Sequence, residues 1–285
     1  MKQKIGFRSA IALHTLRLIA LSLFLGVSGF RADAVPLNQT TTPKSFADWC
    51  LNRANLPPDT RHTVDVLLEE AGTTDCNQAD MMLSTLTALI FSNNQIADIK
   101  PLSGLTNLSE LWLDNNQIAD IKPLSGLTNL SSLYLSNNQI ADIKPLSGLS
   151  NLSGLILSNN QIADIKPLSG LTNLSSLILS NNQIADIKPL SGLSKLTYLR
   201  LNNNQIADIK PLSALKKLQK LTIGGNPIGN KICPVKPESI CNFSTTDSYY
   251  SRPGLRIFRL MELRKLGELR KLGELGIGNL LAGRE

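Results

Sequence analysis

Histidine, serine and acidic residues are the side chains that acid–base or nucleophilic catalysis would need, and here they form no recognisable set. The chain has two histidines, and His14 lies in an apolar N-terminal segment, which leaves His62 as the candidate base. A catalytic triad holds its histidine between a nucleophile and an orienting carboxylate, and nothing in the sequence marks such partners for His62. Neither common phosphate-binding glycine loop is present. We therefore expect a protein that is not an enzyme and uses no cofactor, with His62 exposed on a helix.

A column of aspartates recurs every 22 residues and invites comparison with calcium sites. Each aspartate is followed by isoleucine and lysine, and no D-x-D-x-D-G loop occurs. Hydrogen bonds within the local turn, together with pairing to the nearby lysine, explain the pattern better, and we expect no metal site. The column consists of Asp98, Asp120, Asp142, Asp164, Asp186 and Asp208.

The N-terminal segment has the features of a secretory signal. Residues 1–34 combine a basic start, an apolar run from Ile19 to Val27 and a small-x-small cleavage site ending at Ala34. A retained membrane anchor is the alternative, but His14 and Arg17 interrupt the apolar stretch and leave a core too short to span comfortably. We therefore expect export and cleavage after Ala34.

Four cysteines follow the signal segment, and an even number in an exported protein favours two disulfides. Pairing Cys50 with Cys76 and Cys233 with Cys241 is the simplest connectivity. A four-cysteine zinc site is the alternative, but it would use short C-x-x-C knuckles, and the separations here are 26 and 8 residues.

A 22-residue phrase, L-x-x-L-x-L-x-x-N-x-I-x-D-I-x-P-L-x-x-L-x-x, fills the middle of the chain in six complete copies and a partial seventh. Internal repetition with this period predicts a solenoid. In the copy that begins at Leu108, alternation predicts a short strand over Glu110–Asp114 with Leu111 and Leu113 inward. Asn116 can satisfy backbone groups where the strand ends, and Pro123 restricts the return path to a short turn or extended segment.

These features predict an α/β fold, namely a right-handed solenoid with short parallel strands on its concave face. The convex segments should be 3-10 or extended, and a small helical cap should precede the first coil, because a solenoid exposes apolar core at both ends unless it is covered.

The outward-facing residue between the two core leucines differs from copy to copy, whereas the rest of the phrase hardly changes. A column with tryptophan, tyrosine and arginine among apolar residues has the composition of an interface centre, and its small or polar flanks suit a rim. Strand stabilisation by β-branched residues is the alternative explanation of the isoleucines. We expect partner contacts from Ile90, Trp112, Tyr134, Ile156, Ile178 and Arg200, with Glu110, Tyr198 and Asp114 beside them.

The phrase N-x-I-x-D-I-x-P-L-x-x-L-T, seen from Asn116 to Thr128, resembles the repeats of bacterial internalins and of exported cyanobacterial leucine-rich-repeat proteins. The resemblance covers roughly Leu86 to Ile228. It implies a leucine-rich-repeat fold with both ends capped, but no particular ligand, since such solenoids bind many partners.

The chain divides into five segments by pattern and composition. The period-six repetition near the C-terminus matches neither a helix nor the solenoid, which predicts a flexible tail, with an amphipathic membrane-surface segment as the alternative. The predicted segments are a signal peptide (1–34), a helical cap with a disulfide (35–85), the solenoid (86–230), a second disulfide-containing cap (231–251) and a basic low-complexity tail (252–285).

The formal net charge of +7 does not indicate nucleic-acid binding, because residues 35–251 hold sixteen basic and seventeen acidic residues. We expect a monomeric secreted, periplasmic or cell-surface module that binds a protein or glycan through its concave face. The alternative function is a structural or scaffold protein of the cell envelope. It would associate through the solenoid ends or through the tail, and the tail (252–285) would supply any membrane contact.

Overall fold

The structure, a computed structural model, describes residues 45–245 and contains one parallel sheet whose strands follow chain order. The predicted signal peptide and tail lie outside the described residues. Each coil contributes one strand of three residues, shorter than the predicted five, and a two-residue strand closes the sheet. The strands are β1 (Ala88–Ile90), β2 (Glu110–Trp112), β3 (Ser132–Tyr134), β4 (Gly154–Ile156), β5 (Ser176–Ile178), β6 (Tyr198–Arg200), β7 (Lys220–Thr222) and β8 (Cys241–Asn242).

Successive coils of the solenoid stack in exact register. Leu111 lies opposite Leu89 on one side and Leu133 on the other, so each residue pairs with its counterpart 22 positions away. The leucines and isoleucines of the phrase are fully buried in one continuous core, as at Leu113 and Ile118. The predicted leucine-rich-repeat fold class is confirmed.

The return path of each coil is a short 3-10 turn that begins at the lysine before the proline. The proline occupies the first turn, where its missing N–H costs no hydrogen bond. Asp120 Oδ1 accepts a hydrogen bond from the Lys122 N–H at 2.9 Å, the local turn contact expected for the aspartate column. The turns span Lys100–Leu102, Lys122–Gly126, Lys144–Leu146, Lys166–Leu168, Lys188–Gly192 and Lys210–Ala214.

A column of asparagines satisfies the backbone where each strand ends. Asn116 donates from Nδ2 to the Leu113 carbonyl at 2.9 Å and to the Phe91 carbonyl of the previous coil at 2.8 Å. Its Oδ1 accepts from the Ile96 N–H at 2.9 Å. Because one amide joins two coils, the side chain links the stack along its axis. The same pattern recurs at Asn138, Asn160, Asn182, Asn204 and Asn226.

Three helices form the N-terminal cap: α1 (Phe46–Leu51), α2 (Pro58–Ala71) and α3 (Cys76–Ser84). Ser45 is the N-cap of α1, and Asp48 completes a capping box with it. The sequence pattern did not predict α3, whose apolar face is only Ala79 and Leu83.

Helix α2 covers the first coil with polar contacts as well as apolar ones. His62 Nε2 lies 2.6 Å from the Asn94 carbonyl oxygen, and Thr63 Oγ1 donates to the Asp98 carbonyl at 2.6 Å. These carbonyls belong to the coil that has no earlier coil to bond with. His62 is exposed, as predicted, and its contact with the Asn94 carbonyl joins the cap to the first coil.

Both predicted disulfides are present. Cys50–Cys76 joins α1 to the start of α3, and Cys233–Cys241 ties the chain after the last coil to β8. At the C-terminal end the backbone of Ser244 and Thr245 passes directly over Gly224, where an added Cβ would lie 2.1 Å from the Ser244 carbonyl oxygen. Only glycine fits at that crossing.

Candidate functional site

The variable column predicted to contact a partner lies on the face of the sheet that points away from the buried core. The flanking leucines Leu111 and Leu113 are fully buried, whereas Trp112 between them is half-buried and points away from the core. The same holds for Ile90, Tyr134 and Ile156. The sheet register sets these side chains side by side in neighbouring strands.

Trp112 and Tyr134 form an aromatic stack across β2 and β3. Their ring centroids are 3.6 Å apart and the planes deviate by 10°. Since the two residues are register partners in adjacent strands, the line between the centroids runs from strand to strand, and both rings stand edge-on to solvent. Each ring therefore hides one face against the other and presents its edge outward.

A second aromatic cluster lies four coils from β2. The guanidinium of Arg200 is 5.1 Å from the Tyr198 ring centroid, and Lys220 Nζ is 5.5 Å from the same centroid. Arg200 Nε also donates a hydrogen bond to the Tyr198 hydroxyl. Two cations thus share one aromatic ring, which holds their side chains close to the sheet.

Three of the residues predicted to contact a partner are buried, which differs from the evenly accessible column that the sequence led us to expect. The exposed fraction is 6% for Ile178, 5% for Arg200 and 7% for Asp114. Ile178 lies between Ile156 and Arg200 in the sheet register, and Arg200 bends onto Tyr198. These three side chains are therefore largely inaccessible to a partner, and the accessible contacts of this face come from neighbouring residues.

Asp114 is a buried carboxylate next in sequence to the inward-facing Leu113. Burial raises the pKa of Asp114 from 3.8 to about 6, although hydrogen bonds from Ser136 oppose the shift. One of these is the Ser136 N–H donating to Oδ1 at 2.8 Å from the next coil. At neutral pH the carboxylate is therefore charged against a desolvation cost.

The exposed charges of this face lie at opposite ends of one flanking column. Glu110 is exposed on β2 and Lys220 on β7, and only small or uncharged residues separate them along that column. Five strand steps of about 4.8 Å place the two charges roughly 24 Å apart. Lys220 is not among the residues predicted from the sequence to contact a partner. The intervening residues are Ser132, Gly154, Ser176 and Tyr198.

A second asparagine column, formed by the first residue of each Asn-Asn pair, was not predicted from the sequence. Asn137 donates from Nδ2 to Asn115 Oδ1 at 2.7 Å, and Asn159 donates to Asn137 Oδ1 at 2.6 Å. These residues have left-handed backbones, with φ of 57° at Asn115 and 56° at Asn137. Asparagine tolerates that region better than other side chains do, so the Asn-Asn pair was the available signal.

Within residues 45–245, no three histidine, cysteine or acidic side chains come together in an arrangement that could hold a metal ion. In the same part of the chain, the helices are all too short or too polar to cross a membrane.

The chain matches a protein-family model described as leucine-rich repeats in two copies. It matches repeatedly between residues 84 and 236, which is more than half of the chain. The matched segments are 84–126, 110–148, 128–170, 150–192 and 194–236. No curated protein matches the chain.

Similar solved structures include an internalin from Listeria monocytogenes, with 32% sequence identity and a TM-score of 0.57 over 64% of this chain. This chain spans 56% of the length of that internalin. An internalin C2 from the same species is 33% identical, with a TM-score of 0.46 over 56% of this chain and 91% of its own. A leucine-rich-repeat protein from Leptospira interrogans is 29% identical, with a TM-score of 0.46 over 54% and 46%.

Proposed function

Because the chain belongs to the leucine-rich-repeat family and is internalin-like, we propose that it is an exported interaction module that binds a protein partner on its concave face. Leucine-rich repeats are protein-interaction modules and the internalin-like family is generally non-enzymatic. The observation that carries the proposal is the Trp112–Tyr134 stack, two large aromatic residues held half-buried between Ile90 and Ile156, with small or polar residues in the flanking columns.

The orientation of the stack favours a protein over a glycan. A sugar ring packs its C–H groups against the face of an aromatic ring, because the face carries the negative part of the quadrupole. Here Trp112 and Tyr134 cover one face of each other and turn their edges outward. The edge is the positive part of the ring, and it suits carbonyl oxygens, carboxylates and the faces of aromatic side chains. Proteins supply all three.

The two exposed charges beside the stack, one negative and one positive, would favour one orientation of a bound partner over the reverse. Glu110 is exposed at one end of the flanking column and Lys220 at the other, roughly 24 Å away. A partner with a basic group facing Glu110 and an acidic group facing Lys220 would gain at both ends, whereas the reversed partner would meet like charges. Between Glu110 and Lys220 the face carries Ile156 and serines, whose small or half-buried side chains would let a partner approach the sheet.

Export is supported by the two disulfides, Cys50–Cys76 and Cys233–Cys241. Such bonds form and persist outside the reducing cytosol. The predicted signal peptide over 1–34 would provide the route, and a secreted, periplasmic or cell-surface location agrees with the internalin-like family.

The test is a double substitution, Trp112→Ala with Tyr134→Ala, in the oxidised full chain. Immobilised wild-type protein should retain a partner from a surface-protein extract, and the variant should lose it by at least about 30-fold, since truncating one hot-spot aromatic commonly costs about 2 kcal/mol. The matched control, Gln117→Ala with Gln139→Ala, changes exposed residues of the same two coils outside the sheet.

Retention by the control and loss by the aromatic variant, at unchanged thermal midpoints, would support concave-face binding. Retention by both would place the contact elsewhere. A glycan array run with the same three proteins covers the other ligand class, and binding there that depends on Trp112 would replace the protein partner with a sugar.

A further inference from the structure

The two ends of the solenoid carry opposite charges. Residues 45–85, which contain the N-terminal cap, hold seven acidic and two basic residues. Residues 196–245, from the last coils through the C-terminal cap, hold two acidic and seven basic residues. The coils between them are close to neutral, because each repeat brings one aspartate and one lysine. The described molecule is therefore negative at one end of its stack and positive at the other.

Exposed apolar side chains are concentrated in the same two caps. Among residues 45–245, the large hydrophobic side chains that are exposed are Leu51, Met81 and Met82 in the N-terminal cap and Ile232 in the C-terminal one. Leu51 is 68% exposed and Ile232 63%. Met81 lies on the face of α3 opposite its buried Ala79 and Leu83. Caps of solenoid proteins usually present polar outer faces, since polarity there keeps the stack from growing.

Each end of the solenoid also has a surface cleft whose lining matches the charge of that end. The cleft of the C-terminal end, about 590 Å³, is lined by Lys216, Lys217 and Lys236 together with Pro237 and Ile240. The cleft of the N-terminal cap, about 600 Å³, is lined by Asp65 and Glu69 and by Arg53, which is ion-paired with Asp65.

From the charges, the exposed apolar residues and the clefts together, we propose that the chain associates head to tail, with the acidic N-terminal cap of one copy against the basic C-terminal end (196–245) of the next. The interface joins two different surfaces, so it is heterologous and each added copy leaves a free end. The product is an open row of copies in which the solenoids continue one another. This inference is independent of concave-face binding, and it replaces the monomer expected from the sequence.

Sedimentation equilibrium of the oxidised chain tests the proposal over a range of concentrations. Lowering the salt concentration from about 1 M to about 0.01 M lengthens electrostatic screening from about 3 Å to about 30 Å. We expect the mean mass to rise with concentration past that of a dimer in low salt, and to return to the monomer in high salt. A plateau at the dimer, or a monomer throughout, would overturn the proposal.

Two charge-reversal variants make the test specific for the head-to-tail arrangement. Lys216→Glu with Lys217→Glu lowers the net charge of residues 196–245 from +5 to +1, and Glu69→Lys with Glu70→Lys raises that of residues 45–85 from −5 to −1. All four residues are exposed. The lysines at 69 and 70 would lie in the last turn of α2, where positive charge favours the helix dipole, so this variant should remain folded. Alone, each variant has one strongly charged end and one nearly neutral end, and should associate at least about tenfold more weakly than the wild type.

In an equimolar mixture, the unchanged acidic N-terminal end of the Lys216/Lys217 variant can meet the unchanged basic C-terminal end of the Glu69/Glu70 variant. The mean mass should therefore rise again in low salt, toward that of a dimer. Loss of folding could not produce that recovery. If the mixture stays monomeric while each variant keeps its thermal midpoint, the caps do not meet each other and the proposal is wrong. If each variant alone associates as well as the wild type, cap charge does not drive association and the proposal is equally wrong.

Discussion

Asp114 is a carboxylate whose surroundings oppose its charge, and this makes the stability of the protein depend on pH. Its pKa is raised from 3.8 to about 6 by burial. Between those two values the folded protein holds a proton that the unfolded chain has released, so stability falls as pH rises through about 6. The penalty is absent below about pH 4 and complete above about pH 7.

Asp114→Asn should remove this penalty, because an amide oxygen can still accept the hydrogen bond from the Ser136 N–H without becoming charged. A shift of two pKa units corresponds to about 3 kcal/mol, which we take as the upper bound. Urea unfolding of both proteins at pH 4 and pH 7 measures the effect as a difference of differences. The variant should gain relative to the wild type only at the higher pH, and parallel pH profiles would contradict the account.

Residue-scale prediction from the sequence succeeded where a residue's role is set within its own coil. The inward leucines and the amide of Asn116 follow from alternation and from the need to satisfy the backbone at the end of a strand. The burial of Asp114 goes with a hydrogen bond from Ser136 of the next coil, a contact that the pattern within one coil does not encode. The stacking of Trp112 on Tyr134 likewise needed the register to be known.

At the scale of elements, β8 depends on one glycine. The backbone of Ser244 and Thr245 crosses Gly224 so closely that a Cβ there would lie 2.1 Å from the Ser244 carbonyl oxygen and 2.7 Å from the Thr245 nitrogen. The neighbouring strand pairing is held by the Ile223 N–H, which donates to the Asn242 carbonyl at 2.9 Å. A side chain at position 224 would force this segment away from β7.

Gly224→Ala should therefore release the C-terminal cap at a cost of about 1–3 kcal/mol, the range for overpacked sites. Hydrogen exchange should show it directly, as faster exchange of the Ile223 amide with little change in the first coils. Gly229→Ala is the matched control, because nothing lies within 4 Å of the added Cβ there. Equal exchange in the two variants would show that the crossing is not needed.

The elements of the repeat could be predicted from the sequence better than the elements of the caps. Each coil has a strict pattern, so strand, asparagine and proline positions follow from spacing. Helix α3 has only Ala79 and Leu83 on its buried face, and its position is fixed by contacts of Asp80 with the backbone of Phe46, 34 residues earlier. A contact between residues so far apart produces no periodic pattern in the sequence from which the helix could be predicted.

At the scale of the whole molecule, stability should add up coil by coil, because each coil contacts chiefly its neighbours. Deleting residues 140–161 removes one full period and joins Gln139 to Ile162, the same neighbours that Gln161 and Ile162 form now. The shortened protein should fold with a modestly lower thermal midpoint, because all backbone and asparagine contacts are regenerated across the junction.

Deleting only residues 140–150 places a strand opposite a turn and should prevent folding of the stack. Circular dichroism and thermal unfolding of the two deletion proteins decide the matter. A full-period deletion that unfolds as completely as the half-period one would mean that the coils are not interchangeable.

Because the coils are interchangeable and the two caps are not, the number of coils can change while both ends of the protein stay the same. Unequal recombination within the repeats could add or remove whole coils without harming the fold, since each asparagine finds the same carbonyls in any neighbour. The last coil cannot be duplicated in this way, because its Gly224 lies under the backbone of Ser244 in the C-terminal cap and not under another coil. Copy number can therefore drift only in the interior, and each step would move Glu110 and Lys220 apart or together by one strand spacing, about 4.8 Å. Related proteins that differ by one coil would then differ in the separation of these two charges, and would fit partners of different length.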